Sequence, residues 1–175
     1  IIAQAIPRMP RTHGDGVIQH SKIEKMVWHE EELLTIEYGA KVGADELLIG
    51  RNVAELIDDR STLQMGIETI PDAVLQCLHN HKDLGIHTEM ISDGIVDLVA
   101  KDVITNKFKG THLNRTITSF AFGTRKLYDY IDDNPAFSFM DVEHVNYPIN
   151  IRKNKKMVSI NSAIEIDLTG QVCAD

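Results

Sequence analysis

The sequence predicts an α/β fold, with a mostly parallel sheet carrying helices on both faces. From Gly43 onward, short apolar runs alternate with amphipathic stretches of about ten residues, and turn or cap residues mark the junctions. Strands separated by such helices are joined by right-handed crossovers, which lay them parallel. The bulk composition agrees, because 175 residues with 43% hydrophobic and 25% charged side chains can bury one ordinary core.

Residues 1–42 stand apart from this alternation. Ile1-Ile2-Ala3 reads as the interior of a buried strand, and Pro7, Pro10, Gly14 and Gly16 mark a loop. Residues 17–27 read as a short strand and helix ahead of the acidic Glu30-Glu31-Glu32. This stretch is expected to be the tail of a preceding N-terminal domain plus a linker. Residues 43–175 are then an incomplete C-terminal domain, and the chain a fragment of a longer protein.

Within 43–175, residues 44–58 form a helix with Ile49, Val53, Leu56 and Ile57 on one face, and 61–67 a buried strand. Pro71 suits the first turn of the next helix, Asp72 complements its dipole, and Ala73, Val74, Cys77 and Leu78 follow. The alternation continues as strand 84–88, helix 94–103, strand 116–122 and helix 125–131. Strands at 137–140 and 157–160 come next, and Gly170-Gln171-Val172-Cys173 reads as another.

A net charge of -8 argues against a surface built to neutralise nucleic-acid phosphates. Two cysteines, Cys77 and Cys173, do not make a disulfide framework, which points to a reducing compartment. No apolar run approaches the roughly 20 residues that cross a bilayer. Neither a P-loop nor a GxGxxG fingerprint is present, and no GxSxG elbow offers a nucleophilic serine. His79 and His81 point to different faces of a helix without a completing ligand cluster, so no metal site is expected. The basic run Arg152, Lys153, Lys155, Lys156 reads as a solvated surface.

What remains is a set of polar tips at strand ends: residues 66–71, 87–89, 122–125 and 161–165. In open α/β folds ligands bind outside the carboxyl ends of strands, and a carboxylate there can attack a bound electrophile. Glu89 is such a carboxylate, expected to be exposed where a short apolar strand ends and turns into a helix capped by Ser92 or Asp93. Taken alone, each such carboxylate is more often a helix cap or an ordinary ion pair, and it is the recurrence of polar tips in register that favours a site.

The stretches 61–67 with 70–74, 84–94 and 161–171 resemble the acetyl-CoA hydrolase/transferase family, as do Met9-Pro10-Arg11-Thr12 with Gly14-Asp15, and residues 123–129. The resemblance implies a CoA-transferase (NagB/RpiA-like) fold in a subunit of two α/β domains with the site between them. It also implies that Glu89, after Gly85-Ile86-His87-Thr88, is the catalytic nucleophile, with Gly66, Ile67, Glu68, His87 and Thr88 beside the cofactor. Glu165 is the rival carboxylate, kept as structural or pocket-lining. The family commonly has Gly-Ile-Gly where this chain has Gly66-Ile67-Glu68. A glycine there would permit close approach or a positive φ, and the glutamate brings negative charge toward a polyanionic cofactor.

The implied reaction moves coenzyme A between an acyl-CoA and a small carboxylic acid of the acetate or 4-hydroxybutyrate type, through a glutamyl-CoA thioester. CoA is then a substrate rather than a permanently bound cofactor. The expected assembly is a homo-oligomer, and the expected location the cytoplasm, or the mitochondrion of a eukaryote. A hydrolase using the same nucleophile and a non-catalytic CoA-binding remnant are the alternatives, with a sugar-phosphate isomerase on a similar sheet behind them.

Overall fold

A computed structural model describes residues 1–37, 39 and 42–174. The linker expected before residue 43 includes Tyr38, Ala40 and Lys41, which lie outside the described residues, as does Asp175. The chain runs β1 (Ile2–Ala5), β2 (Lys25–Trp28), α1 (Ala44–Ala54), β3 (Thr62–Met65), α2 (Thr69–Cys77), β4 (Gly85–Ile86), β5 (Met90–Ile91) and α3 (Gly94–Ala100). It continues with β6 (Thr116–Thr118), β7 (Phe120–Ala121), α4 (Arg125–Ile131), β8 (Phe137–Phe139), α5 (Val142–Asn146), α6 (Pro148–Ile151), β9 (Met157–Ile160), β10 (Glu165–Ile166) and β11 (Val172–Cys173).

Parallel ladders join β9 to β3, β3 to β4, and β6 to β8. Single parallel bridges, His87 to Ile117 and Gly14 to Phe139, connect these ladders and extend them. The spatial order is therefore β9-β3-β4-β6-β8, with Gly14 at the far edge. Chain order runs outward from β3 through β8 and then returns to place β9 on the other side of β3. The crevice at the ends of β3 and β9 is thus a topological switch point, where open α/β sheets bind ligands.

Register sorts the side chains onto two faces. Leu63, Met65, Ile86, Val158, Ile160, Phe137 and Phe139 share the face that forms the main core with α1 to α4. Thr62, Gln64, Gly85, His87, Ile117 and Ser159 take the other face, as the period of two along a strand requires. That more polar face is covered at β4 and β6 by α5 and by residues 105–115, with Lys109 reaching Ile86 O and His87 reaching Val145 O.

Local chemistry accounts for the helix ends. Gly43 N–H donates to Glu46 Oε2 at the start of α1, Thr124 Oγ1 accepts from Lys126 N at α4, and Asp141 Oδ1 accepts from Glu143 N at α5. Pro148 occupies the first turn of α6, where its missing N–H costs nothing.

Several expectations are corrected. The first helix stops at Ala54, so Leu56 leaves the apolar face and is 82% exposed; Ile49 is also exposed, while Ile57 is buried and Val53 packs against the core. The second helix, by contrast, begins at Thr69 and keeps Pro71 in its first turn, as expected. Ile2 is in a strand, but among the described residues β1 pairs only with β2, and Ile2 is 78% exposed. Residues 17–27 hold a 3-10 turn, His20–Lys22, and then β2, in place of a strand followed by a helix. The third helix ends at Ala100 rather than 103. The expected strand 84–88 forms as β4 with single bridges at Leu84 and His87, and after a break at Glu89 the chain pairs again as β5; strand 116–122 is broken in two at Ser119. No described helix is long and apolar enough to cross a membrane.

Candidate active site

The two strand breaks face one another and build the site. Glu89 O accepts from Ser119 N at 2.8 Å and Phe120 N at 3.0 Å, and Thr118 Oγ1 lies 3.0 Å from it. Beyond the break the two strands resume side by side, Met90 opposite Phe120 and Ile91 opposite Ala121. A ladder interrupted in this way re-aims one side chain while the chain on both sides stays paired. The Glu89 carbonyl is thus held by two backbone N–H donors, with the Thr118 hydroxyl 3.0 Å from both it and Phe120 O. The half-buried Glu89 carboxylate accepts one hydrogen bond among the described residues, from Asn146 Nδ2 to Oε2 at 3.0 Å.

The helix after Glu89 departs from the expected capping. Ser92 Oγ donates to Asp72 Oδ1 at 2.5 Å, and Asp93 accepts from Thr124 N and Thr124 Oγ1 at 2.8 and 2.6 Å. Both side chains tie neighbouring helices together, and neither caps α3. Burial pushes the Asp72 carboxyl up, with nearby Asp93 adding to the effect against the Ser92 hydrogen bond.

His87 and Thr88, expected beside the cofactor, are each 1% exposed. Thr88 Oγ1 donates to Met65 O at 2.9 Å and accepts from Met65 N at 3.0 Å, fastening the end of β3 to the segment that carries Glu89. His87 Nε2 is 2.8 Å from Val145 O. Burial first, and then Lys109, His112 and His144, lower the His87 value and favour the neutral ring.

Gly66 lies in the switch-point crevice. Its N–H donates to Ile160 O at 2.8 Å, and a Cβ there would sit 2.8 Å from Asn161 Oδ1. Ile67 and Glu68 are exposed just before α2. Glu68 has φ -168° and ψ 179°, an extended backbone open to any residue, so a positive φ is no reason for glycine at this position.

The four polar tips only partly converge. Gly66 and Asn161 meet at the ends of β3 and β9, and Thr88 links this end to Glu89. Gly123-Thr124-Arg125 is tied elsewhere, to Asp93 and, through Arg125, to Glu32 and Asp129. Glu165 is exposed on the β10–β11 hairpin, opposite Cys173.

Asn146, Thr118, Ser119 and Phe120 were not apparent as site residues. The one local sign was Asn146 placed two residues before Pro148, a helix-ending pattern that says nothing about what the amide touches. A groove of about 410 Å³ opens beside the Glu89 clamp, lined by Ser119, Phe120, Phe122, Leu34, Met9 and Phe139 among others. It is mostly apolar and suits an aliphatic group.

Residues 123–175 match the acetyl-CoA hydrolase/transferase C-terminal domain. Over all 175 residues the chain is 48% identical to 4-hydroxybutyrate coenzyme A transferase from Clostridium kluyveri, and covers 41% of that protein. The structure of 4-hydroxybutyrate CoA-transferase from Porphyromonas gingivalis matches with a TM-score of 0.90 at 43% identity, over 98% of this chain and 43% of that one. RipA from Yersinia pestis matches with a TM-score of 0.93 at 34% identity, over 99% of this chain and 40% of that one. The chain spans about two fifths of the length of these relatives. The parallel α/β sheet, the C-terminal domain matched over residues 123–175 and the likeness along the whole length of the chain thus make it similar to the CoA-transferases of the acetyl-CoA hydrolase/transferase family.

Proposed function

We propose that the protein transfers coenzyme A between an acyl-CoA and a small carboxylic acid, with Glu89 as covalent nucleophile. The observation that carries this is the strand break, which pins the Glu89 carbonyl with two backbone N–H donors and leaves its carboxylate held, among the described residues, by one amide at the carboxyl edge of the sheet. A Glu89 oxygen bonds to the thioester carbonyl carbon, the C–S bond breaks, and CoA leaves as thiolate from a mixed anhydride. The thiolate then attacks Glu89 Cδ and expels the first acid as carboxylate, leaving a glutamyl-CoA thioester. An incoming carboxylate runs the two steps in reverse and regenerates Glu89.

A carboxylate is a weak nucleophile, so orientation must supply most of the acceleration, on the order of 7 to 11 kcal/mol at best. In this reading Gly66, Ile67 and Glu68 border the CoA path at the switch point. Gly66 N–H is already bonded to Ile160 O, so it is not free to hold an oxyanion. CoA comes and goes as a substrate, and the working enzyme is a homo-oligomer in the cytoplasm, or in the mitochondrion of a eukaryote.

The test is to incubate full-length protein with acyl-CoA and look by mass spectrometry for CoA on the peptide containing Glu89. An adduct that disappears in Glu89→Ala supports the reading. Full transferase activity in Glu89→Ala refutes it. CoA release that does not depend on an acceptor acid would instead assign hydrolysis to the same nucleophile.

A further inference from the structure

We infer that His87 is a positioning residue for Glu89, acting through α5 to hold Asn146 against the carboxylate; this rests on the nucleophilic role proposed above. A backbone carbonyl can only accept, so the 2.8 Å contact to Val145 O requires the proton on Nε2. Neutral His87 in that tautomer satisfies the contact, and its buried Nδ1 has no partner among the described residues. At 1% exposure the ring cannot meet a cofactor without leaving this place.

The link matters because α5 has only five residues, too few to hold its own position. Asp141 caps its start, and Val145, itself 1% exposed, is tied from below by His87. Asn146 is the next residue, and its amide holds Glu89 Oε2 at 3.0 Å. Glu89 is two residues beyond His87, so the contacts close a ring: His87 to Val145, Asn146 to Glu89, and back along the strand. Cutting the ring at His87 releases the end of α5 and with it the orientation of the carboxylate.

The experiment uses full-length enzyme with His87→Leu, His87→Gln, Asn146→Ala and the double variant His87→Leu/Asn146→Ala. Single-turnover formation of the glutamyl-CoA adduct and steady-state KM for acyl-CoA are measured. His87→Leu is expected to slow adduct formation by about 10- to 100-fold with KM little changed, because misplacing a reacting group acts on the chemical step. His87→Gln, whose amide can reach Val145 O, is expected to restore most of the rate. In the Asn146→Ala background the leucine change should add less than about twofold, since the two residues act on one link.

An undiminished leucine penalty in that background overturns the inference, as does a KM effect at unchanged kcat, which would place His87 on CoA. Should His87→Leu fail to fold, His87→Asn replaces it, its shorter amide falling short of Val145, with the same expectations. Wild-type enzyme that carries no CoA on Glu89 refutes the proposed reaction itself. Wild type that carries it, with additive His87 and Asn146 effects, refutes only this inference.

Discussion

Replacing Lys109 with methionine should reverse the sign of its effect on stability between neutral and alkaline pH. Lys109 is 4% exposed, and its Nζ donates to Ile86 O and Arg115 O, both at 2.7 Å. Burial lowers its value from 10.5 to about 7. Below pH 7 the folded and unfolded chains both carry the proton, and the fold bears a buried ammonium. Between pH 7 and 10.5 the folded lysine has released its proton while the unfolded one keeps it. The unfolded state then binds more protons, so stability rises with pH by about 1.4 kcal/mol per unit, on the order of 5 kcal/mol across the window.

The neutral amine still has two N–H groups, enough for both carbonyls, and this pair is worth about 1 to 3 kcal/mol. Lys109→Met should therefore be more stable than wild type at pH 6, by about 2 to 4 kcal/mol, and less stable at pH 10. Urea denaturation of both full-length proteins at pH 6, 8 and 10 reads the difference, in which the other lysines and tyrosines cancel. A difference that does not change with pH refutes the reasoning. So does wild type losing ground as pH rises, which would mean that the ammonium is stabilised by the fold.

Asp72→Asn should stabilise the protein at pH 7. The Asp72 value is raised mainly by burial, so the fold loses stability as pH rises through it, and an amide oxygen can still accept from Ser92; the gain should vanish in denaturation at pH 3.5. Gly14→Ala should cost on the order of 3 kcal/mol in denaturant unfolding, because φ is +123° and the new Cβ would lie 2.0 Å from Phe139 O. Glu68→Gly should lower KM for acyl-CoA by about threefold at low salt, and less at high salt, by removing a negative charge from the CoA path. A salt-independent change in KM would place Glu68 outside that field.

Much of the fold was legible because strand and helix signals are local. Runs such as Thr62–Met65 and Met157–Ile160, and the alternating pattern of residues 69–77, carry their own periodicity and form where expected. The misplaced features depend on contacts distant in sequence. Ser92 and Asp93 have the chemistry of caps, yet Asp72 and Thr124 recruit them from other helices. Leu56 fits an apolar face only if the helix continues, and it ends at Ala54.

The sequence by itself determined the class of fold, the elements that alternate to make it, and Glu89 as the carboxylate that follows a short apolar strand, because those follow from side-chain type and near-neighbour spacing. Only the tertiary structure decided that the strand breaks at Glu89, that Ser119 and Phe120 pin its carbonyl, and that Asn146 holds its carboxylate. It also turned His87 and Thr88 inward to the scaffold. The physical reason is register: a hydrogen bond across 57 residues depends on how strands and helices stack, and no local pattern encodes which partner the stacking brings.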